Sequence, residues 1–311
     1  MTTRPEELLR HYHAWERNTD KIEFQWRARL LQSMWRTEQG LEAGEYRGKT
    51  RGARLVMPDA QTSLANYLTP TIRQVVREEV EDPARSKGKL YGRPRIYDNL
   101  LSSQPLCFNL FGELTRDLDL ATSALSDMTD GRIHRVTAID FEYSPGRGDD
   151  RYTGDRSAFD VYVRYETTTG AAGFVGIEVK YHEGLDDPVA DHRDRYDEVA
   201  AEMGCFLPEH AQKLQQKPLQ QVWRDHLLVG AHRLVDGFED GFFAFLYPEG
   251  NRACASAVDQ YKACLSSHDT FQGWTLERLV TCLSSRSSDS WVQAVHDRYL
   301  DFSRLRSLQD E

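Results

Sequence analysis

Two apolar segments joined by a short glycine-containing turn constrain the fold of this chain more than any other feature. Residues 157–166 (SAFDVYVRYE) and 173–181 (GFVGIEVKY) have the alternation of a β-strand, and the linker between them suits an antiparallel hairpin. Asp160 shares a strand face with Tyr162, and Glu178 shares a face with Lys180. The pattern therefore brings two carboxylates and an ammonium together on one side of an apolar hairpin.

These three charged groups suit the hydrolysis of a phosphodiester. Charge among apolar neighbours is costly to bury unless a metal ion or a partner compensates it. The carboxylates of Asp160 and Glu178 are ligands of the kind that Mg²⁺ prefers, and the backbone carbonyl of Val179 is a further candidate ligand. Such an ion activates water and stabilises charge on phosphate oxygens, while Lys180 can position or deprotonate the water. A structural salt bridge of Lys180 with either carboxylate is the alternative, and the position in the middle of paired strands favours catalysis.

The elements around the hairpin follow the order α-β-β-β-α-β. A helix with an apolar stripe from Cys107 to Leu118 precedes a strand at 135–143, and a continuous apolar strand is predicted at 241–248. Further elements are predicted as helices over 188–203, 218–235, 252–264, 275–284 and 289–306 and a short strand over 271–274. We expect an α/β fold with a mixed sheet flanked by helices. Residues 1–97 are predicted to be a helical extension in which 40–60 is a loop, and residues 98–311 the core with its C-terminal helices.

Four segments of the chain resemble a bacterial family of restriction-endonuclease-like proteins in the PD-(D/E)XK nuclease superfamily: SSQPLCFNLFGEL, FEYSPGR, TGDRSAFDVYV and GIEVKY. The resemblance covers about residues 98–283. It implies a restriction-endonuclease-like αβββαβ core and an endonuclease that cleaves DNA with Mg²⁺, or with Mn²⁺, in defence against foreign DNA. It assigns the metal-binding aspartate to Asp160, the glutamate to Glu178 and the lysine to Lys180. Phe159 stands in place of the proline that gives the motif its first letter.

Two further residues are candidates for the same centre. Glu142 lies on the first strand, where it can complete the metal shell or hold a second ion, or remain a solvent-exposed carboxylate at the strand edge. Gln104 falls in the first turn of the helix before the sheet, where members of the superfamily place an auxiliary acidic or amide residue.

A cluster of basic residues is predicted to contact nucleic acid, although the chain has a net charge of -10. No acidic residue interrupts residues 85–95, and glycine makes the segment suitable for phosphate contacts. The cations of this segment are Arg85, Lys87, Lys89, Arg93 and Arg95. Residues 47–54 hold a second cluster: Arg47, Lys49, Arg51 and Arg54. A solvated run of charge is the alternative explanation for both.

The remaining sequence features indicate the cellular location and the partners of the protein. No stretch approaches the roughly 20 apolar residues of a membrane helix, and the N-terminus lacks a signal-peptide pattern, so we expect a cytoplasmic protein without membrane contact. The five cysteines form no CxxC pair, which disfavours structural zinc. DNA is the expected partner. A homodimer is also expected, because each centre cuts one strand, and the N-terminal extension can contact other subunits of a defence system.

The sequence is also compatible with two other functions. One is a nuclease with the same centre that acts on RNA or on single strands. The other is a non-catalytic module that binds nucleic acid or assembles a defence complex, and the intact set of Asp160, Glu178 and Lys180 argues against it.

Overall fold

Two β-sheets and the surrounding helices make up the fold in the computed structural model, which describes residues 5–16 and 19–307. The strands are β1 (Ala43–Tyr46), β2 (Lys49–Leu55), β3 (Arg135–Tyr143), β4 (Phe159–Glu166), β5 (Ala172–Val179), β6 (Asp240–Tyr247) and β7 (Phe271–Thr275). The α-helices are α1 (Glu6–His11), α2 (Glu23–Glu38), α3 (Asp59–Ser63), α4 (Pro70–Val76), α5 (Arg95–Asp98), α6 (Ser103–Phe111), α7 (Leu118–Met128), α8 (Asp194–Met203), α9 (Ala211–Leu214), α10 (Gln220–Asp236), α11 (Arg252–Lys262), α12 (Leu276–Arg286), α13 (Ser290–Tyr299) and α14 (Arg304–Ser307). A π-helical turn covers Arg77–Glu81, and 3₁₀ turns cover Glu113–Thr115 and Pro208–His210.

The larger sheet has five strands in the order β3-β4-β5-β6-β7. β4 pairs antiparallel with both β3 and β5, whereas β6 runs parallel to β5 and β7 runs parallel to β6. Parallel neighbours require a crossover, and α8 to α10 supply it before β6 while α11 supplies it before β7. The mixed sheet with flanking helices confirms the fold class predicted from the sequence.

Alternating side chains of the central strands enter two separate hydrophobic cores. Val175, Ile177 and Val179 of β5 belong to the core that includes side chains of α6, α7 and α12. Phe174 of β5 belongs instead to the core that includes side chains of α8 and α10. By the same alternation, Glu178 lies on the face of the sheet that α10 covers.

The prediction of a loop over residues 40–60 is wrong, because β1 and β2 form a hairpin there and α3 begins at Asp59. Arg47 and Gly48 both have positive φ, which is the backbone of a two-residue type I′ turn. The exposed side chains of this small ribbon include Glu45, Lys49 and Thr50, so its sequence lacks the apolar alternation of a strand in a core. Ala53 and Leu55 nevertheless pack into the same core as Phe108 and Val161. The division of the chain at residue 97 stays a prediction.

The single helix predicted from Cys107 to Leu118 is also wrong, because two helices and a 3₁₀ turn replace it. α6 ends at Phe111, and α7 begins at Leu118 after Asp117, whose carboxylate accepts a hydrogen bond from the backbone N–H of Leu120 at 2.8 Å. The apolar spacing continues across the break, so periodicity alone hides it. No helix in residues 5–16 and 19–307 has both the length and the apolar character that crossing a membrane requires.

Candidate active site

Asp160 and Glu178 occupy opposite positions on β4 and β5. The antiparallel pairing of the two strands extends to Val161 and Ile177. Asp160, which precedes Val161, therefore lies opposite Glu178, which follows Ile177. Oδ2 of Asp160 accepts a hydrogen bond from the backbone N–H of Val179 at 2.9 Å. The side chain of Asp160 therefore uses a backbone donor of β5 at the point where the regular ladder ends, and the two carboxylates meet there.

Lys180 completes the trio from the position directly after the end of β5, the strand that holds Glu178. Its Nζ lies 2.7 Å from Oε1 of Glu178, and both side chains belong to residues that are only 7 % exposed. The backbone N–H of Lys180 donates to the carbonyl of Leu246 on β6 at 2.8 Å, which continues the ladder of the sheet. The ammonium is therefore held beside Glu178 by the backbone of the sheet as well as by the ion pair.

Gln221, in the first turn of α10, connects Glu178 with Lys180. Its Nε2 donates to Oε1 of Glu178 at 2.6 Å, and its Oε1 accepts from Nζ of Lys180 at 3.1 Å. One amide thus fixes the orientation of both charged side chains. Lys180 has three N–H donors and uses two of them in these contacts, so one donor is available for another group.

Burial and mutual charge determine the electrostatics of the trio. Burial, followed by the nearby charge of Glu178, raises the pKa of Asp160 well above its usual value. Burial alone lowers the pKa of Lys180, but the charge of Glu178 and the hydrogen bond to it outweigh burial, so the net pKa is raised. A lysine that keeps its proton is better suited to position water and to counter negative charge than to act as a base.

A second contact from α10 fixes the chain that leads into β4. Asp155 is 7 % exposed and accepts hydrogen bonds from Arg224 at 2.6 Å, from the Tyr196 hydroxyl at 2.7 Å and from the backbone N–H of Ser157 (to its Oδ1) at 2.9 Å. Burial raises the pKa of Asp155, but the charge of Arg224 and the hydrogen bonds outweigh burial and lower it. α10 therefore fixes both the entry to β4, through Arg224, and the carboxylate on β5, through Gln221.

Glu142 lies on β3 opposite Asp160, since Phe141 pairs with Val161 and Tyr143 pairs with Phe159. Its backbone has a φ of 48°, in the left-handed region that non-glycine residues rarely adopt. Its Oε1 accepts from Arg147 at 3.1 Å and from the backbone N–H of Leu90 at 3.3 Å. The charge of Glu142 contributes to the raised pKa of Asp160, so the two carboxylates lie close enough to interact.

The donor set at this edge of the sheet fits a hard divalent cation. Oε1 of Glu178 is occupied by Lys180 and Gln221, and Oδ2 of Asp160 by Val179, which leaves one oxygen of each carboxylate for a ligand. A cation between them would relieve the repulsion that raises the pKa of Asp160. Within the described residues, no group of three or more His, Cys, Asp or Glu side chains is placed to hold a metal ion.

Comparison with known families agrees with this geometry. The family model described as "PD-(D/E)XK nuclease superfamily" matches residues 18–301, which is nearly the whole chain. The chain belongs to the PD-(D/E)XK nuclease superfamily. Neither the curated proteins nor the solved structures include a match to it. Membership in the superfamily is thus established by the family model, and the resemblance seen in the sequence is confirmed.

Gln104, the auxiliary candidate, contacts a loop instead of the carboxylates of Asp160 and Glu178. Its Oε1 accepts from the backbone N–H of Gly92 at 2.9 Å, and its Nε2 donates to the carbonyl of Leu90 at 3.1 Å. Glu183 fixes the start of α6, because its carboxylate accepts from the backbone N–H groups of Ser103 at 3.0 Å and Tyr181 at 2.9 Å. Together these contacts bring the basic segment 85–95 to the side of the centre that holds Glu142.

The five cations of segment 85–95 divide into two groups. Arg85 and Lys89 both pair with Glu79, which is 5 % exposed, and the Lys89 Nζ lies 2.5 Å from it. Arg93 donates to the carbonyl of Val80 at 2.8 Å. Lys87 and Arg95 are exposed, and neither has an ion-pair partner within the described residues. Lys87 and Arg95 therefore differ from the other three cations, which contact Glu79 or the carbonyl of Val80.

The contacts from α10 are the part of the site that sequence reasoning missed. Gln221 and Arg224 lie more than forty positions after the hairpin, so no local spacing connects them with Glu178. The available signal was a polar stripe of Gln221, Arg224 and Asp225, at i, i+3 and i+4, on a helix that is otherwise largely buried.

Proposed function

We propose that this member of the superfamily is an endonuclease that hydrolyses phosphodiester bonds of DNA with a divalent cation, Mg²⁺ or Mn²⁺, in bacterial defence against foreign DNA. The observation that carries the proposal is the pair of opposed carboxylates, Asp160 and Glu178, with the Lys180 ammonium 2.7 Å from one of them. Carboxylates that flank a cation, next to a permanent positive charge, suit phosphodiester hydrolysis.

The cation would be held by the carboxylates of Asp160 and Glu178 and by the backbone carbonyl of Val179. Glu142 is the candidate that would complete the metal shell or hold a second ion. When bound, the cation would supply positive charge for the scissile phosphate and lower the pKa of water. Gln221 would keep the carboxylate of Glu178 in one orientation, so that its free oxygen faces the cation.

Lys180 has the role of positioning the attacking water and countering negative charge. Two of its donors contact Glu178 and Gln221, and its third donor would contact the attacking water or a phosphate oxygen. Its raised pKa keeps the positive charge in place while negative charge grows on the phosphate.

The exposed cations of the loop beside Glu142 would bind the phosphates that flank the cleaved bond. Lys87 and Arg95, which make no ion pair with a described residue, are available for this role, while Gln104 holds the loop through Leu90 and Gly92. We further propose a cytoplasmic homodimer, in which each centre cuts one strand, with other subunits of a defence system as alternative partners of the N-terminal region.

The test is cleavage of defined polymers by the purified protein. Plasmid DNA, linear duplex, single-stranded DNA and RNA are each incubated with Mg²⁺ or Mn²⁺, with EDTA as the chelation control and Glu178→Gln as the control for contaminating nucleases. We expect cleavage of DNA by the unaltered protein that EDTA abolishes. Cleavage of RNA alone would redirect the proposal to the other polymer, and the absence of cleavage of every polymer would favour a binding module.

A further inference from the structure

A cleft next to Glu178 takes no part in the hydrolysis proposed for Asp160, Glu178 and Lys180. It has a volume of about 350 Å³ and lies between the chain that enters β4, the start of α10 and the segment 185–189. Glu178 and Gln221 form part of its wall, so the cleft opens directly on the catalytic carboxylate. Ligand pockets begin at roughly 300 Å³, which is room for one nucleotide but not for a stacked duplex.

The wall of the cleft combines an apolar side with charged groups of both signs. Leu185, Pro188 and Val189 form the apolar side. The carboxyl groups that line the cleft are Glu178, Asp187 and Asp225, and the cations are Arg156, Lys217 and Arg224. Because an apolar surface lies beside charged groups, the cleft suits an occupant with a flat neutral body and a charged end better than a bare ion. A nucleotide has both parts.

A buried acceptor lies in the same wall. Asp225 is 6 % exposed, and its Oδ2 has no hydrogen-bond partner within the part of the chain that the structure describes. A buried polar group without a partner is costly, so a small rotation of this carboxylate toward the cleft that Asp225 lines, where a donor from outside the chain can reach it, would be favourable. The amino groups of cytosine and adenine are donors that a carboxylate accepts in nucleic-acid recognition.

Arg156, at the rim of the cleft, can bind the phosphate of a nucleotide. Arg156 is exposed, and the structure shows no ion pair of its side chain with any described residue. It stands four positions before Asp160 on the chain that enters β4. A phosphate bound by Arg156 would therefore lie within a nucleotide or two of the bond at the catalytic centre.

We propose that the cleft receives one unstacked nucleotide of the substrate strand, directly next to the cleaved phosphate, with its base against Leu185 and Val189 and its amino group on Asp225. The inference rests on the proposed nuclease function and narrows its substrate. DNA with an unpaired nucleotide at the cleavage point, such as a bulge, a gap or a single strand, is cut in preference to perfect duplex, because a paired base must first leave the stack.

The first experiment compares two oligonucleotides that differ only in pairing. One is a perfect duplex and the other has a single-nucleotide bulge at a defined position, and kcat/KM is measured for each with Mg²⁺. We expect the bulged substrate to be cut about a hundred-fold faster, since extrusion of a paired base has to precede cleavage of the duplex. Equal rates on both substrates would overturn the inference while leaving the nuclease function intact.

The second experiment observes the base without relying on cleavage. 2-Aminopurine replaces the bulged base, Ca²⁺ replaces Mg²⁺ to slow the chemistry, and a fluorescein on the same strand reports binding through its anisotropy. Binding with a rise in 2-aminopurine emission, which marks loss of stacking, supports the proposal. Binding without that rise overturns the inference alone, and the absence of binding overturns both it and the proposed function.

Matched substitutions locate the effect in the cleft. Val189 is 50 % exposed on the cleft wall, and Leu234 is 53 % exposed elsewhere, so Val189→Trp fills the cleft while Leu234→Trp is its control. Only Val189→Trp should abolish the rise in emission. Asp225→Ala, which removes the acceptor, should reduce an approximately ten-fold preference for cytosine or adenine over thymine at the bulge to near equality. An unchanged emission rise in Val189→Trp, or an unchanged base preference in Asp225→Ala, would contradict the assigned contacts.

Discussion

The side-chain amide of Gln221 lies 2.6 Å from Oε1 of Glu178 and bonds Lys180 through its other end. A helix thus fixes two charged side chains of a strand that precedes it by about forty residues. The arrangement has the form of an outer group that orients a metal ligand, and such groups affect activity without touching the reacting atoms.

Gln221→Ala should lower kcat for DNA cleavage by about 10- to 100-fold and raise the Mg²⁺ concentration for half-maximal rate, because Glu178 loses its orienting donor. The Michaelis constant for DNA should change little. Steady-state rates over a Mg²⁺ titration measure both effects. Gln293→Ala, at an exposed glutamine of α13, is the control. An unchanged Mg²⁺ dependence would mean that Gln221 only fills space.

The fold around this pair could be predicted from the sequence where side chains alternate against a core. The strands predicted at 135–143, 157–166 and 173–181 correspond to β3, β4 and β5 to within two residues at each end. Asp160, Glu178 and Lys180 converge because the register of one hairpin determines their positions. A period of two and a short turn contain all of that information.

The parts of the site that could not be predicted depend on contacts between residues that are distant in the sequence. The helix that carries Gln221 could be predicted, but its packing against Glu178 follows from the crossover between parallel strands, which no local pattern encodes. Glu79 illustrates the same point, because its burial decides that Arg85 and Lys89 form ion pairs within the protein. Charge clustering in the sequence does not distinguish those two cations from the exposed Lys87.

Lys87 and Lys89 should differ in what their removal changes. Lys87→Ala should weaken DNA binding and lower the slope of log affinity against log salt by about 1, because one phosphate contact is lost. Lys89→Ala should instead lower the free energy of unfolding by about 1 to 3 kcal/mol, since the buried Glu79 loses a partner. Binding titrations at several salt concentrations, together with urea unfolding, separate the two effects. The same salt slope in Lys87→Ala as in the unaltered protein would place Lys87 outside the interface.

Arg224→Ala should lower the free energy of unfolding by about 2 to 4 kcal/mol, because Asp155 is left buried without its cation. Arg135→Ala, which removes an exposed ion pair with Glu166, is the matched control and should change stability by less than about 1 kcal/mol. Urea unfolding curves measure both variants. An equal loss of unfolding free energy in the two variants would show that the Arg224–Asp155 pair contributes no more to stability than an exposed ion pair.

His226 should make the protein less stable as the pH falls below about 6.5. Burial lowers its pKa to about 3 in the folded chain, so between these values the unfolded state binds a proton that the folded state does not. Stability is therefore lost on acidification, by about 2 kcal/mol from this residue at pH 5. Urea unfolding at pH 7.5 and pH 5 should show a smaller difference in His226→Gln than in the control His268→Gln, at an exposed histidine. Identical pH dependence in both variants would exclude His226 as the cause.

The rate of a single round of DNA cleavage in Asp160→Asn tests the central claim most directly. The substitution keeps the shape of the side chain but removes one of the two carboxylates that would hold the cation. Asp140→Asn, on the neighbouring strand β3 in a half-exposed pair with Arg164, is the control. We expect a fall of about a thousand-fold or more in Asp160→Asn and a rate within about two-fold of the unaltered protein in Asp140→Asn. A rate in Asp160→Asn that equals the control would contradict a catalytic centre built on Asp160 and Glu178.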